Sequence, residues 1–180
     1  MTTKIIIGVV LLLIVLIVLY IHFVNELQRC IVKIDEASSD IDVALSKRYN
    51  VLKKMAQVVD KYTNHERELL IEIVNIRKGM SVNEKLAAEE ALNANYKNIN
   101  LVAEGYPELL SNEVYQNLQN SITDTEEHLQ ASRRFFNSAV SKYNQYVVTF
   151  PTSIIANKKQ MTKREFYEAP KEELDVELFN

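Results

Sequence analysis

Three histidines, one cysteine and a set of helix-borne carboxylates are the groups in this chain with the right chemistry to bind a metal or make a bond. Their spacing decides against each use. A di-iron site in a helical bundle needs a Glu-x-x-His pair on each of two helices plus two further glutamates. Here His128 stands two residues after Glu126 and one after Glu127, His65 has Tyr62 three residues before it, and His22 lies in an apolar run. His65-Glu66 begins like a zinc-protease motif, but Leu69 occupies the place of the second histidine. Cys30 lies close to that apolar run, and three histidines support no Ser-His-Asp or Cys-His pairing. The reading is therefore of no catalytic residue, no metal ligand and no cofactor, with the histidines in capping or surface roles.

Charges embedded in amphipathic stretches come next: Asp42, Arg48, Arg133 and Arg134. Two uses compete. Asp42, or Asp35, can pair with Arg133 or Arg134 on a facing helix and fix register, as polar groups at the edge of a core do. Alternatively the two arginines, with their capacity for bidentate contacts, can build an anion site between helices. The pairing is the preferred reading. The aromatics Phe135, Phe136, Tyr143, Tyr146 and Phe150 lie at helical spacing and read as core.

These groups must be positioned by helices, and the first helix begins in a membrane. Residues Ile5 to Val24 contain no Asp, Glu, Lys or Arg, and seventeen of the twenty are Ile, Val, Leu or Phe. That length covers a hydrocarbon core of ~30 Å, and the composition favours insertion by about 5 to 10 kcal/mol. A signal peptide would have an apolar stretch of only about 7 to 15 residues followed by a small-residue cleavage site. No such site follows His22, and Arg29 precedes Cys30 where a lipoprotein signal has a small residue. Residues 1–24 are thus expected to be an uncleaved single-pass anchor that meets the lipid bilayer through residues 5–24. Lys4 on one side and Arg29 with Lys33 on the other leave its orientation balanced.

Residues 25–180 carry 20 basic and 24 acidic side chains, which argues against a nucleic-acid partner. Three glycines and three prolines in 180 residues point to helices. Steps of three and four residues from Leu27 through Ile34, Ile41, Leu45, Leu52, Met55 and Val59 to Ile76 trace one narrow apolar face, as in a coiled coil or long bundle. The spacing predicts a helix continuous with the anchor to about Lys78, closed by Gly79 as a C-cap. Ser81 and Glu84 have the spacing of a capping box that opens a second helix, with Val82, Leu86, Ala87, Leu92, Tyr96, Ile99 and Val102 inward and a stop at Gly105, Tyr106 and Pro107. A third helix is expected from about Pro107 to Phe150, ended by Pro151. The fold expected is all-α: one N-terminal transmembrane helix continuing into an antiparallel bundle of three or four long helices over residues 25–151. Residues 152–180 read as a short helix and a charged tail.

In that tail Lys158, Lys159, Lys163 and Arg164 precede Glu165, Glu168, Glu172, Glu173, Asp175 and Glu177. Anionic lipid would attract the basic cluster if it reached the membrane. An up-down-up order carries the end of the third helix away from the bilayer, so a solvated tail is expected.

Two stretches carry a resemblance. "IDVALSKRYNVLKKMAQVVDKYTNHE", residues 41–66, and "RRFFNSAVSKYNQYVVTFP", residues 133–151, resemble the signature blocks of the LemA family of bacterial membrane-anchored helical proteins, and Tyr106 and Pro107 match its turn into the last long helix. The motif residues are Ile41, Asp42, Val43, Arg48, His65, Glu66, Tyr106, Pro107, Arg134, Phe135, Asn137, Val140, Tyr143, Asn144, Phe150 and Pro151. The resemblance implies a single-pass protein of the bacterial cell membrane with a helical bundle and no established biochemical function. Ser38 and Ser39 stand where the family usually has Trp-Ser, and Lys53 where it has proline. The expected role is a non-enzymatic scaffold or adaptor with protein partners of unknown identity. The alternative is a single-pass sensor that uses the continuous first helix.

Overall fold

The structure is a computed structural model of the chain and describes residues 1–63 and 74–168. Among these residues it is helical, with no strand: α1 spans Thr2–Tyr62, α2 Val82–Ala103, α3 Pro107–Leu110, α4 Glu113–Val148 and α5 Thr152–Lys158. The chain forms two compact units, one of Met1–Glu36 with Phe136–Phe166, the other of Ala37–Phe135 with the chain from Tyr167. Helices α1 and α4 contribute to both.

Helix α1 is long and apolar enough at its start to cross a membrane. It runs unbroken through Lys53, where the resemblance expects a proline. Its buried residues, Leu27, Cys30, Ile34, Ile41, Leu45, Leu52, Met55 and Val59, follow the apolar stripe. The helix does not reach Lys78. Thr63 turns its hydroxyl back onto the Asp60 carbonyl at 3.0 Å, a side-chain bond that competes with the helical ladder, and Val74–Lys78 are not helical. Gly79 is therefore no helix C-cap. It takes φ +81°, open to glycine for want of a Cβ, and turns the chain into Ser81.

The capping box at Ser81 forms as expected: the Glu84 amide donates to Ser81 Oγ at 3.2 Å, and the Ser81 amide to Glu84 Oε2 at 2.7 Å. The buried face of α2 is displaced from the one expected. It comprises Lys85, Ala88, Glu89, Leu92, Asn95, Ile99 and Ala103, whereas Ala87 is exposed and Val82 and Leu86 half-buried. The expected third helix is two elements, because Asn112 Oδ1 accepts from the amides of Val114 and Tyr115 at 2.9 and 3.3 Å and caps a fresh helix start.

Within the second unit, contacts along the helices set their directions. Tyr62 Oη accepts from Asn112 Nδ2 at 2.7 Å, and Arg48 pairs with Glu126 at 2.8 Å. These positions lie fourteen residues apart on each helix, in opposite order, so α1 and α4 are antiparallel with matched rise. Helix α2 begins beside α1, with Lys85 on Ser38 and Asp42, and ends beside the start of α4, where Tyr115 donates to Asn100. It therefore runs parallel to α1. The expected up-down-up order is corrected: α2 runs in the same sense as α1, and α4 is the helix that runs opposite to both.

The first unit agrees with that sense. Phe23 of α1 shares a groove with Lys142, Tyr146, Phe150, Pro151 and Thr152, and the charge of Lys142 acts on Cys30. The end of α4 thus lies beside the end of the apolar run. Thr152 donates to the carbonyls of Tyr146 and Thr149 at 2.6 and 2.8 Å and folds α5 back against α4, with Ile155 and Ala156 buried. Residues 159–166 are not a free tail. The Asn144 carboxamide grips the Arg164 backbone on both sides, donating to its carbonyl at 2.9 Å and accepting its amide at 2.8 Å.

Candidate functional site

The concentration of chemistry in the second unit is a buried set of charges, built on helix faces that would otherwise be apolar. Arg48 of α1 pairs with Glu126 of α4. Arg133, two turns along α4, lies 3.9 Å from the same carboxylate and pairs with Glu89 of α2. Tyr167 enters from the C-terminal segment, donates to Glu89 Oε2 at 2.8 Å, and offers its ring to the Arg133 guanidinium at 5.7 Å. Nearby in the same unit, Lys85 lies 2.6 Å from Asp42 and donates to the Ser38 carbonyl and hydroxyl at 2.5 and 2.8 Å. Asp42 Oδ2 also accepts the Gly79 amide at 3.4 Å.

Three cations, Lys85, Arg48 and Arg133, thus face three carboxylates, Asp42, Glu126 and Glu89. Charges buried in this way are tolerated only when paired, and here the pairing joins α1, α2, α4 and the segment that carries Tyr167. The set is neutral and leaves no net charge to hold an external ion. The expected pairing of Asp42 with Arg133 or Arg134 is overturned. Asp42 lies toward α2 and meets Lys85 there, Arg133 meets Glu89 and Glu126, and Arg134, one residue on, points to solvent. Successive helical residues diverge by about 100°, so Arg133 and Arg134 cannot line one anion site.

Other candidates separate just as plainly. Burial pushes the Cys30 thiol up from its ordinary 9.0, with Lys142 opposing, so it stays protonated and unreactive at neutral pH. Among the described residues no three of His, Cys, Asp and Glu gather where a metal would bind. His65 and Glu66 lie outside the described residues.

The model of the LemA family matches residues 37–178. This chain belongs to the LemA family. It is also similar to protein LemA of Metamycoplasma hominis, 29% identical over 164 residues that cover 88% of this chain and 75% of that protein. The family has no established biochemical function and is not known as one of enzymes.

The family-motif residues fall into two groups. Ile41, Asp42, Arg48, Val140 and Tyr143 are buried, and Asn144 holds the C-terminal segment. Pro107 opens α3 behind Tyr106, and Asn137 is half-buried. Val43, Arg134, Phe135, Phe150 and Pro151 face outward, Phe135 at 70% and Phe150 at 77% exposure, so these aromatics are not core. Lys85, Glu89, Glu126 and Tyr167 are partners that the sequence reading missed. A signal existed for two of them: stepping back from Leu92 by helical turns reaches Glu89 and Lys85.

Proposed function

We propose that this LemA-family chain is a single-pass protein of the bacterial cell membrane and acts as a non-enzymatic scaffold or adaptor, with its lipid contact through residues 5–24 and its protein contacts through the second unit. The observation that carries this reading is the division of labour among motif residues. The charged ones, Asp42 and Arg48, are consumed in contacts between elements, while Phe135 is left outside at 70% exposure. A large exposed aromatic contributes little to folding and much to an interface, where aromatic and arginine side chains concentrate binding energy. Arg134 beside it supplies the polar complement. The acidic balance beyond the anchor disfavours nucleic acid as the partner.

A photoreactive phenylalanine analogue at Phe135, in protein expressed in bacterial membranes, tests this. Discrete crosslinked protein species that weaken when Arg134 is also replaced by Ala support a scaffold. No crosslinked protein, together with an altered metabolite on deletion of the chain, would replace it with an enzyme. Recovery of the chain in the soluble fraction without detergent would refute the anchor.

A further inference from the structure

The first unit carries a surface that the scaffold reading does not use. Phe23, second from the end of the apolar run, lies beside Phe150, Pro151 and Thr152. If Ile5 to Val24 span the bilayer, the α4–α5 turn stands where hydrocarbon gives way to headgroups. At that level Phe150 and Ile154 are 77% and 61% exposed. On α5, Thr152, Ile155 and Ala156 face inward, which leaves Pro151, Ile154 and Lys158 on the outer face, one helical turn apart. That face is apolar at one end and cationic at the other.

Charge follows the same pattern. Residues 136–166 hold five basic side chains, Lys142, Lys158, Lys159, Lys163 and Arg164, against one carboxylate, Glu165. Arg164 stacks on Tyr143 and Lys142 lies over Tyr146, while Lys158, Lys159 and Lys163 are exposed among the described residues. The Asn144 grip keeps Arg164 within six residues of Phe150 along α4, about 9 Å at 1.5 Å per residue. That is within one Debye length of the headgroups, about 8 to 10 Å.

We propose that the α4–α5 turn is a second membrane contact, an interfacial foot in which Phe150 and Ile154 enter the headgroup boundary and Lys158, Lys159 and Lys163 meet the phosphates of anionic phospholipids. This rests on the anchor reading of residues 5–24. Exposed apolar side chains flanked by lysines are what an interfacial helix presents to a bilayer, and here the anchor holds them at the surface at no cost in diffusional freedom. The occupant is lipid rather than a protein because the surface continues the apolar run and its charge complements the anionic leaflet.

The chain has no tryptophan, so one can be introduced as a sole reporter. Full-length protein carrying Ile154→Trp or, separately, Leu12→Trp would be reconstituted in vesicles of brominated phosphatidylcholine, with and without phosphatidylglycerol. The expected result is strong quenching for Leu12→Trp in both lipids, and for Ile154→Trp quenching that rises with phosphatidylglycerol. Adding Lys158→Gln, Lys159→Gln and Lys163→Gln should lower the docked-to-undocked ratio by on the order of 100-fold, at about fivefold per charge. Quenched Leu12→Trp with unquenched Ile154→Trp would overturn the foot and leave the anchor standing. Ile154→Trp quenching that ignores both phosphatidylglycerol and the lysines would overturn the anionic-lipid assignment. Unquenched Leu12→Trp would overturn the anchor, and the foot with it.

Discussion

Lys85 turns its ammonium onto α1: Nζ lies 2.6 Å from Asp42 Oδ1 and donates to the carbonyl and hydroxyl oxygens of Ser38. Its side chain is 2% exposed. Two of the three partners belong to Ser38, at a position where the resemblance expects tryptophan, and the serine gives the lysine a polar seat there. The contact also holds the start of α2 beside the middle of α1 and thereby fixes the parallel course of the two helices.

Asp42→Ala leaves that ammonium buried with no counter-charge, which costs about 3 to 5 kcal/mol for a fully buried pair. The Ser38 oxygens remain, so the loss is expected at the lower end, near 3 kcal/mol, by denaturant titration. Asp42→Leu combined with Lys85→Met should recover much of it, because no charge is then stranded. Additive losses in that cycle would show that the two residues do not act as a pair.

The helices that follow a plain apolar period were legible: α1 from its stripe, the start of α2 from Ser81 and Glu84, and much of α4 from Ile122, Leu129 and Phe136. The direction of α2 was not, because a short turn after an unbroken α1 was assumed where Thr63 already closes the helix. Its face was misread for a related reason. Hydrophobicity sends Lys85 and Glu89 to solvent, and only a partner distant in sequence, Asp42 or Arg133, makes their burial tolerable. Tyr167 was lost in the same way among the charges of the tail. Phe150 and Phe135 erred in the opposite sense, counted as core by spacing when they face outward.

The capping box predicts an acid-side dependence. Hydrogen bonds from the Ser81 backbone and side chain, then the charge of Arg77, hold the Glu84 carboxyl below its ordinary 4.5. A carboxyl lowered in the folded state contributes stability that is present above its unfolded value and is lost as pH falls through the folded one. Ser81→Ala should cost about 1 kcal/mol at neutral pH, and Glu84→Gln, which has no carboxylate to protonate, should flatten the decline of stability below 4.5. An unchanged acid slope in Glu84→Gln would remove Glu84 as its source.

Asn144 holds Arg164 with one donor and one acceptor, so two substitutions there should differ. Asn144→Asp keeps the acceptor for the Arg164 amide but has no proton for the carbonyl, while Asn144→Ala has neither. Losses of about 0.5 to 1.5 kcal/mol per neutral bond predict that hydrogen exchange at the Arg164 amide accelerates strongly in Asn144→Ala and little in Asn144→Asp. Equal exchange in both would mean that the segment is held elsewhere.

The last prediction concerns Tyr167, which closes the ionic set from the C-terminal side. Its hydroxyl donates to a fully buried carboxylate, Glu89, whose other oxygen pairs with Arg133. Hydrogen bonds to charged groups are worth about 1.5 to 3 kcal/mol, so Tyr167→Phe should lose that much while the ring stays in place over the guanidinium. Tyr167→Ala gives up the ring as well, and the cost should rise to about 3 to 5 kcal/mol. The two variants should separate in a second measurement. Tyr167→Ala frees the segment and exposes Lys163 and Arg164 to limited trypsin cleavage, whereas Tyr167→Phe keeps them protected. If Tyr167→Phe is neutral, Arg133 alone satisfies Glu89, and the C-terminal segment rests on packing and on the Asn144 grip instead.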